Sequence, residues 1–195
     1  MDIFLIPVLS YLIGSFSSAY VVGRVFKKID IRNHGSGNAG ATNALRIMGR
    51  KLGVMTFFMD FAKGIIAVLV GLELGGYNGG ILAALFAVLG HNWPIFFKFK
   101  GGKGIATTIA AMAMLQFPIT LISVIVGVLT AAISRYVSLG SLVFLTVLFA
   151  LTFTGLSNGG VITSIITFIL MILGYYRHKG NIKRLIEGNE NKIGR

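Results

Sequence analysis

Residues 104–134 read GIATTIAAMAMLQFPITLISVIVGVLTAAIS, an uncharged stretch that decides the fold. As one α-helix it would be about 46 Å long, whereas the hydrocarbon core of a bilayer is about 30 Å thick. Gln116-Phe117-Pro118 offers a break, because a proline disfavours helix at the residue before it. Two interpretations therefore compete: one long, strongly tilted helix, or two short membrane spans.

The composition of the whole chain places it in a membrane. Hydrophobic residues make up 55% of the 195 positions, the mean hydropathy is +0.83, and only 12% of residues are charged. Soluble domains carry about 25% charged residues. The first apolar stretch, residues 3–23, precedes its basic residues, which is the reverse of a cleaved signal peptide. We therefore expect an integral membrane protein that keeps this stretch as its first span.

The positions of the basic residues favour two spans in 104–134. With two, all 18 Lys and Arg lie on one side of the membrane except Lys63, which lies within a span. A single helix would divide them between both sides, against the positive-inside rule. We predict an all-α membrane protein with seven transmembrane helices, the N-terminus outside and the C-terminus cytoplasmic. The expected spans of this single domain, 1–195, are about 3–23, 52–74, 80–97, 104–116, 118–134, 138–155 and 160–176, with turns at 75–80 and 156–160.

The first unusual cytoplasmic segment is HGSGNAGATNALR, residues 34–46. Its G-x-G-x-x-G pattern lacks the preceding strand of a dinucleotide fold. Glycines still let backbone amides converge on an anion, and the helix expected from Ala41 would favour phosphate at its N-terminus. A plain turn is the alternative. The side chains that add hydrogen-bond donors are Ser36, Asn38, Thr42, Asn43 and Arg46.

The second segment is GHNWPIFFKFKGGKGIATT, residues 90–108, in which glycines flank Lys103. Gly104 stands where a Walker A motif has Ser or Thr, which argues against nucleoside triphosphate binding. A lysine at the start of a helix is still a suitable point charge for a phosphate. The alternative is a positive-inside anchor, which accounts better for Lys98 and Lys100 than for Lys103.

The third segment is RHKGNIKRLIEGNENK, residues 177–192. Arg177, Asn181 and Arg184 are spaced to share one helical face. A basic helix beside a membrane is equally typical of an anchor to anionic lipid. The segment therefore predicts either a third anion site or a lipid contact.

Some chemistry is missing from the sequence. The chain has no cysteine, and none of its three histidines is followed five positions later by aspartate. Asp60 and Lys63, one turn apart inside the second span, form either a structural pair or a site. No carboxylate cluster suits a divalent metal, so we expect neither metal nor cofactor. The protein is expected to supply anion binding more than a nucleophile.

The three segments, in this order, resemble the bacterial acyl-phosphate:glycerol-3-phosphate acyltransferase family, PlsY. The matching stretches are SGNAGATNALR, GHNWPIFFKFKGGKGIAT and RHKGNIKRLIEGNENKIG. The resemblance implies transfer of a fatty acyl group from acyl phosphate to the 1-hydroxyl of sn-glycerol 3-phosphate, which yields lysophosphatidic acid for phospholipid biosynthesis. It further implies a multi-pass protein of the bacterial inner membrane with a cytoplasmic active site, coupled to an enzyme that produces acyl phosphate.

Both substrates that the resemblance implies carry a phosphate group. The three segments are therefore candidate phosphate-binding sites. We expect acyl phosphate to contact Ser36, Gly37, Asn38, Gly40, Ala41, Thr42, Asn43, Lys103 and Ser141. We expect glycerol 3-phosphate to contact Arg46, Lys103, His178, Asn181 and Arg184. The expected catalytic residues are Lys103, Ser36 and His178. The base is either a phosphate oxygen of the donor or His178.

Two other functions compete with the enzyme. The net charge of +12 suits nucleic acid, anionic lipid or an anionic substrate equally well. An organophosphate or anion transporter would use basic residues and helix breaks too, but inverted halves are absent from the sequence. A membrane module that only recruits partners leaves the glycine-rich segments unexplained. We expect no nucleic-acid partner.

Overall fold

The computed structural model describes residues 4–193, and within that range every regular element is helical. The chain divides into two compact units, Met1–Leu115 and Gln116–Arg195. The first unit contains α1 (Leu5–Gly14), α2 (Ser18–Lys27), α3 (Ala41–Met48), α4 (Arg50–Asn92) and α5 (Ile105–Leu115). The second contains α6 (Phe117–Ser134), α7 (Val137–Leu151), α8 (Gly160–Arg177) and α9 (Lys179–Ile186).

The apolar helices mark the chain as an integral membrane protein. Within residues 4–193, four helical segments are long and apolar enough to cross a bilayer: Leu5–Lys27, Arg50–Phe97, Phe117–Ser134 and Gly160–Arg177. The helices α5 and α7 are apolar but shorter. Large side chains on these helices point away from the protein; Ile133, for example, is 84% exposed. Contiguous apolar surface of this kind is stable against lipid rather than water.

The first expected span, 3–23, is not one continuous helix. Helix α1 ends at Gly14, and α2 begins at Ser18. A Cβ at Gly14 would collide with the backbone of Ala87, and one at Gly90 would collide with the carbonyl oxygen of Tyr11. The end of α1 therefore packs directly on the last turns of α4, and the break at Ser15–Ser17 follows this close contact.

The turn expected over 75–80 is much shorter than the sequence indicates. Only Gly75 and Gly76 leave helical geometry inside α4, and Gly76 has φ +57° and ψ −152°, a region that favours glycine. A Cβ on Gly71 would lie 2.5 Å from the carbonyl oxygen of Gly79, so the chain reverses within two residues. The helix then ends at Asn92, not at the expected residue 97, and a short 3₁₀ turn covers Ile95–Phe97.

The two helices of 104–134 are separated at Gln116. Helix α5 ends at Leu115 and α6 begins at Phe117, with Pro118 in its first turn, where the missing N–H costs no hydrogen bond. Within the second unit α6 packs on α7 through glycines, since a Cβ on Gly127 would lie 2.8 Å from the carbonyl oxygen of Gly140. Helix α7 ends four residues before the boundary expected at 155.

Candidate phosphate site

The side chain of Asn43 holds the first glycine-rich loop in place. Asn43 is 1% exposed, its Nδ2 donates to the carbonyl oxygens of His34 (2.9 Å) and Ile31 (3.3 Å), and its Oδ1 accepts from the backbone N–H of Ser36 (3.0 Å). The sequence indicated this amide as a donor to phosphate. These contacts instead use both of its polar atoms within the loop, so any direct role falls to its backbone N–H.

Two glycines of this loop adopt backbone conformations that other residues rarely reach. Gly35 has φ +60° and Gly37 has φ +70°, and a Cβ on Gly35 would collide with Oδ1 of Asn43. The loop delivers the chain to Ala41, where α3 begins. The first N–H groups of a helix lack intrahelical acceptors and favour an anion.

Several side chains indicated by the sequence are accessible around this helix N-terminus. Ser36, Thr42 and Arg46 are exposed and Asn38 is half-buried. Thr42 and Arg46 are four residues apart and therefore share one face of α3. The first segment can offer backbone amides, hydroxyls and a guanidinium to the same anion.

The second glycine-rich loop packs on the end of α4. The N–H of Gly102 donates to the carbonyl oxygen of His91 (3.0 Å), and a Cβ on Gly102 would collide with His91 Nε2 and lie 2.9 Å from the carbonyl oxygen of Ala39. Gly104 has φ +79° and lies against Val88. The loops around Ala39 and Gly102 therefore meet within the first unit, next to the half-buried Lys103.

Arg32 ties the first loop to the segment before the second one. Its guanidinium pairs with Asp30 at 2.7 Å, donates from Nη1 to the carbonyl oxygen of Phe97 (2.7 Å) and lies 4.7 Å from the ring centre of Tyr20. The Arg32 hydrogen bond holds the pKa of Asp30 below its ordinary value, and the same bond raises the pKa of Arg32. The sequence indicated Arg32 only as a topology signal and missed this link.

In the second unit Glu190 binds two of the residues that are expected to contact glycerol 3-phosphate. Its carboxylate accepts from Asn181 Nδ2 (2.7 Å), Arg184 Nε (2.8 Å) and Ser138 Oγ (3.0 Å), and Glu190 is 9% exposed. Arg184 uses Nε in this contact, and a guanidinium carries further donors on its two terminal nitrogens. Sequence analysis grouped Asn181 with Arg184 but missed the carboxylate that holds them.

His178 lies where α8 passes into α9 and is 2% exposed. Its Nδ1 is 2.7 Å from the carbonyl oxygen of Gly174. Because a carbonyl oxygen only accepts, we assign the proton to Nδ1, which leaves the lone pair of the neutral ring on Nε2. This is the tautomer in which Nε2 acts as a base.

Ser141 has a local hydrogen bond. Its hydroxyl donates to the carbonyl oxygen of Val137 (2.9 Å), one turn earlier in α7, and the residue is half-buried. The hydroxyl proton is therefore used within the helix. Contact between Ser141 and acyl phosphate stays a prediction.

Asp60 has more partners than its sequence neighbours indicate. The pair with Lys63 is confirmed, with Nζ 2.9 Å from Oδ1 of Asp60. Ser18 Oγ donates to the same oxygen at 2.8 Å, and His91 Nδ1 lies 3.4 Å from it. The search for a histidine and an aspartate at fixed spacing missed this contact, because Asp60 and His91 lie on the two halves of α4.

Fold and loops together define a class: an α-helical integral membrane protein with basic, glycine-rich segments suited to phosphate. A family model described as "Glycerol-3-phosphate acyltransferase" matches residues 4–188. A protein of that name from Thermoanaerobacter pseudethanolicus is 44% identical over 97% of this chain and 95% of its own length. A protein of the same name from Halalkalibacterium halodurans is 46% identical over 95% of this chain and 93% of its own length.

Two solved structures have the same fold over the whole chain. Both are crystal structures of PlsY, described as an integral membrane glycerol 3-phosphate acyltransferase, and each comparison covers 100% of this chain and 96% of the other. The glycerol 3-phosphate form has a TM-score of 0.92 at 36% identity, and the lysophosphatidic acid form 0.89 at 35%. This chain belongs to the glycerol-3-phosphate acyltransferase family of the PlsY type, as its three motifs predicted.

Proposed function

We propose that this protein transfers a fatty acyl group from acyl phosphate to the 1-hydroxyl of sn-glycerol 3-phosphate, with lysophosphatidic acid and inorganic phosphate as products. The observation that carries the proposal is the full-length similarity to an enzyme solved with glycerol 3-phosphate and with lysophosphatidic acid. An enzyme that produces acyl phosphate would supply the donor.

The donor's chemistry explains why the protein needs anion sites more than a nucleophile. Acyl phosphate is a mixed anhydride, so the glycerol hydroxyl oxygen attacks the acyl carbon directly and the bond from that carbon to the phosphate oxygen breaks. Negative charge then develops on the leaving phosphate. Preorganised cations and N–H donors stabilise that charge in the transition state.

We assign the donor phosphate to the two loops that meet in the first unit. Ser36, Asn38, the backbone amides of 40–43 and Lys103 would bind it, and the acyl tail would extend between helices. The exposure of the Ser36 side chain, the start of α3 at Ala41 and the approach of Gly102 to Ala39 support this assignment. Ser141 is a further candidate contact.

We assign glycerol 3-phosphate to the basic residues of the first and third segments and to the shared lysine. Two of them, Asn181 and Arg184, are held by one carboxylate, and Arg46 is exposed on α3. Oriented in this way, the acceptor hydroxyl gains the rate advantage of proximity. The proposed ligands are Arg46, Lys103, His178, Asn181 and Arg184.

The hydroxyl proton has two possible acceptors. A phosphate oxygen of the donor would make catalysis substrate-assisted, whereas Nε2 of His178 would make it general-base catalysis. His178→Ala separates them in pH–rate profiles of the purified enzyme. Appreciable rate with an unchanged profile indicates the phosphate, and loss of the pH dependence together with most of the rate indicates His178.

The assay that tests the function uses purified protein in detergent with acyl phosphate and radiolabelled glycerol 3-phosphate. We expect labelled lysophosphatidic acid and release of phosphate in equal amounts. If a folded preparation forms no labelled lysophosphatidic acid, the proposed function is wrong. A transporter would instead give flux of glycerol 3-phosphate in sealed vesicles without acyl transfer.

The proposed topology has seven crossings of the bacterial inner membrane, with the N-terminus outside and the site and C-terminus cytoplasmic. Helix α5 has 11 residues and α7 has 15, about 16 and 22 Å, so both need a locally thinned bilayer or flanking residues to complete a crossing. The chain has no cysteine, so single cysteines can be introduced for labelling. Labels at residues 100 and 183 should react from the same side.

A further inference from the structure

A buried polar cluster in the first unit is outside the phosphate site described above. Asp60, Lys63 and His91 are 2%, 4% and 6% exposed, in an interior formed largely by apolar and uncharged side chains. Oδ1 of Asp60 accepts from Ser18 Oγ (2.8 Å) and lies 2.9 Å from Lys63 Nζ, which also donates to the carbonyl oxygen of Phe16 (2.7 Å). A charge at such depth is costly unless it is paired and hydrogen-bonded.

Charge neutralisation alone does not account for the cluster. Lys63 already compensates Asp60, yet His91 Nδ1 also lies 3.4 Å from Oδ1. The separation is an electrostatic contact and not an aligned hydrogen bond, and because a carboxylate only accepts, it favours the tautomer with the proton on the facing Nδ1. This contact orients the imidazole and directs Nε2 to the opposite side of the ring, as a carboxylate orients a histidine in many functional sites.

The opposite edge of the ring lies against the loop that carries Lys103. A Cβ on Gly102 would collide with Nε2 of His91, and the Gly102 N–H donates to the His91 carbonyl oxygen (3.0 Å). His91 therefore contacts Gly102 through its backbone and through its ring. A rotation of the ring would push directly on the residue before Lys103.

A second contact ties the cluster to the helix that follows the loop. Thr107 Oγ1 donates to the backbone carbonyl oxygen of Asp60 at 3.2 Å, and a Cβ on Gly64 would lie 2.7 Å from the carbonyl oxygen of Thr107. The start of α5 is thus packed on the same part of α4 as the carboxylate. Both ends of the Gly101–Gly104 loop are attached to α4 near Asp60 and His91.

We propose that Asp60 and His91 are positioning residues that fix the position and orientation of the loop that carries Lys103. Asp60 fixes the His91 ring, and the ring supports Gly102, so that Lys103 meets the substrate phosphate. Neither residue touches a reacting atom. This inference rests on the proposed role of Lys103 in phosphate binding.

Steady-state kinetics of purified variants test the inference. His91→Ala removes the ring support, and Asp60→Asn removes the charge that orients it. The control is Thr56→Val, because Thr56 is buried one turn earlier on α4 and its hydroxyl only donates to Leu52 of the same helix (2.8 Å). We expect KM for both phosphorylated substrates to rise about tenfold in the two test variants and to stay unchanged in the control.

KM separates positioning from a purely structural role. A destabilised enzyme has fewer active molecules, which lowers the apparent kcat and leaves KM as it was. A His91→Ala enzyme with unchanged KM for both substrates would therefore overturn the inference. His91→Asn keeps a donor near the place of Nδ1, and we expect it to restore KM to within about threefold of the parent value.

Two further measurements keep the result interpretable. If Lys103→Ala retains activity, the proposed site itself is wrong; if it is inactive while His91→Ala is kinetically normal, only the positioning role is wrong. Should the cluster variants fail to fold, ¹⁵N-histidine spectra of the parent protein, assigned with His34→Gln and His178→Gln, report the His91 tautomer. Protonated Nδ1 supports the inference, and unprotonated Nδ1 overturns it.

Discussion

The two basic regions of the molecule are built in different ways. In the first unit the glycine-rich loops are shaped by backbone conformation and by buried Asn43, and Ser36 and Arg46 extend outward. In the second unit Asn181 and Arg184 are already bound to Glu190, a carboxylate that a phosphate would imitate. The first region is preorganised by uncharged groups, whereas the second is preorganised by an internal anion.

This difference affects how each region meets a ligand. Backbone N–H groups and glycines in fixed positions need no reorganisation when an anion binds. Side chains held by a carboxylate are equally ordered, but their positive charge is partly neutralised before the substrate arrives. We therefore expect variants that remove the phosphate-binding groups of the first unit to lose catalysis, and variants around Glu190 to change mainly substrate affinity.

The largest expected effect is from Lys103→Ala, which removes the charge from the loop in the first unit. Loss of a preorganised group that stabilises transition-state charge costs about 100-fold or more in rate. We expect kcat/KM to fall at least that far in the purified enzyme. The matched control is Lys98→Ala, five residues earlier on an exposed turn, which changes the net charge equally. Near-normal turnover by Lys103→Ala would refute the site.

The second prediction concerns Asn43, the uncharged side chain that holds the first glycine-rich loop. Asn43→Ala removes three hydrogen bonds from a buried position and leaves two carbonyl oxygens and one N–H without that partner. We expect a loss of about 2–4 kcal/mol in unfolding free energy and a fall of more than tenfold in activity.

Thermal unfolding in detergent and the acyltransfer assay measure the two effects of Asn43→Ala. Asn33→Ala, at an exposed asparagine directly before this segment, is the control and should be close to neutral. Equal effects in both variants would show that the loop is not held as the hydrogen bonds indicate.

The third prediction concerns Glu190, the carboxylate that holds Asn181 and Arg184 in the second unit. Glu190→Ala releases the side chains of Asn181 and Arg184. We expect KM for glycerol 3-phosphate to rise about tenfold with a smaller change in kcat, because these two side chains are then no longer held in place for the substrate. Glu187→Ala is the control, since Glu187 is exposed and its pair with Lys183 is 3.8 Å long. A fall in KM would instead mean that Glu190 competes with the substrate phosphate.

Sequence reasoning predicted the class of fold and the family, because hydropathy and three contiguous motifs are local properties. It placed the helix break at Gln116 correctly, since Pro118 carries the signal. It overestimated the turn after residue 74, because glycine-rich composition shows that a chain can bend but not how few residues the bend needs.

The site was less accessible to sequence reasoning. Asn43 was predicted to be a ligand because its type suits phosphate, and only its burial shows that its side chain serves the loop. Contacts such as Glu190 with Ser138, or Asp60 with His91, join residues that are distant in sequence and depend on tertiary packing. No spacing rule finds them.

The smallest expected effect is that of the ion pair between Asp30 and Arg32, which holds the guanidinium that donates to the Phe97 carbonyl oxygen. The pKa of Asp30 is lowered by its hydrogen bond to Arg32, so its contribution to stability is present above the unfolded-state pKa, about 3.9, and is lost as pH falls through the lower folded-state pKa. Asp30→Asn should cost about 1 kcal/mol at pH 7, and the cost should shrink as the pH falls below the unfolded-state pKa. Thermal unfolding of both proteins across this range measures the difference. A difference in stability that stays constant with pH would show that the Asp30 charge does not help to hold Arg32 against the Phe97 carbonyl oxygen.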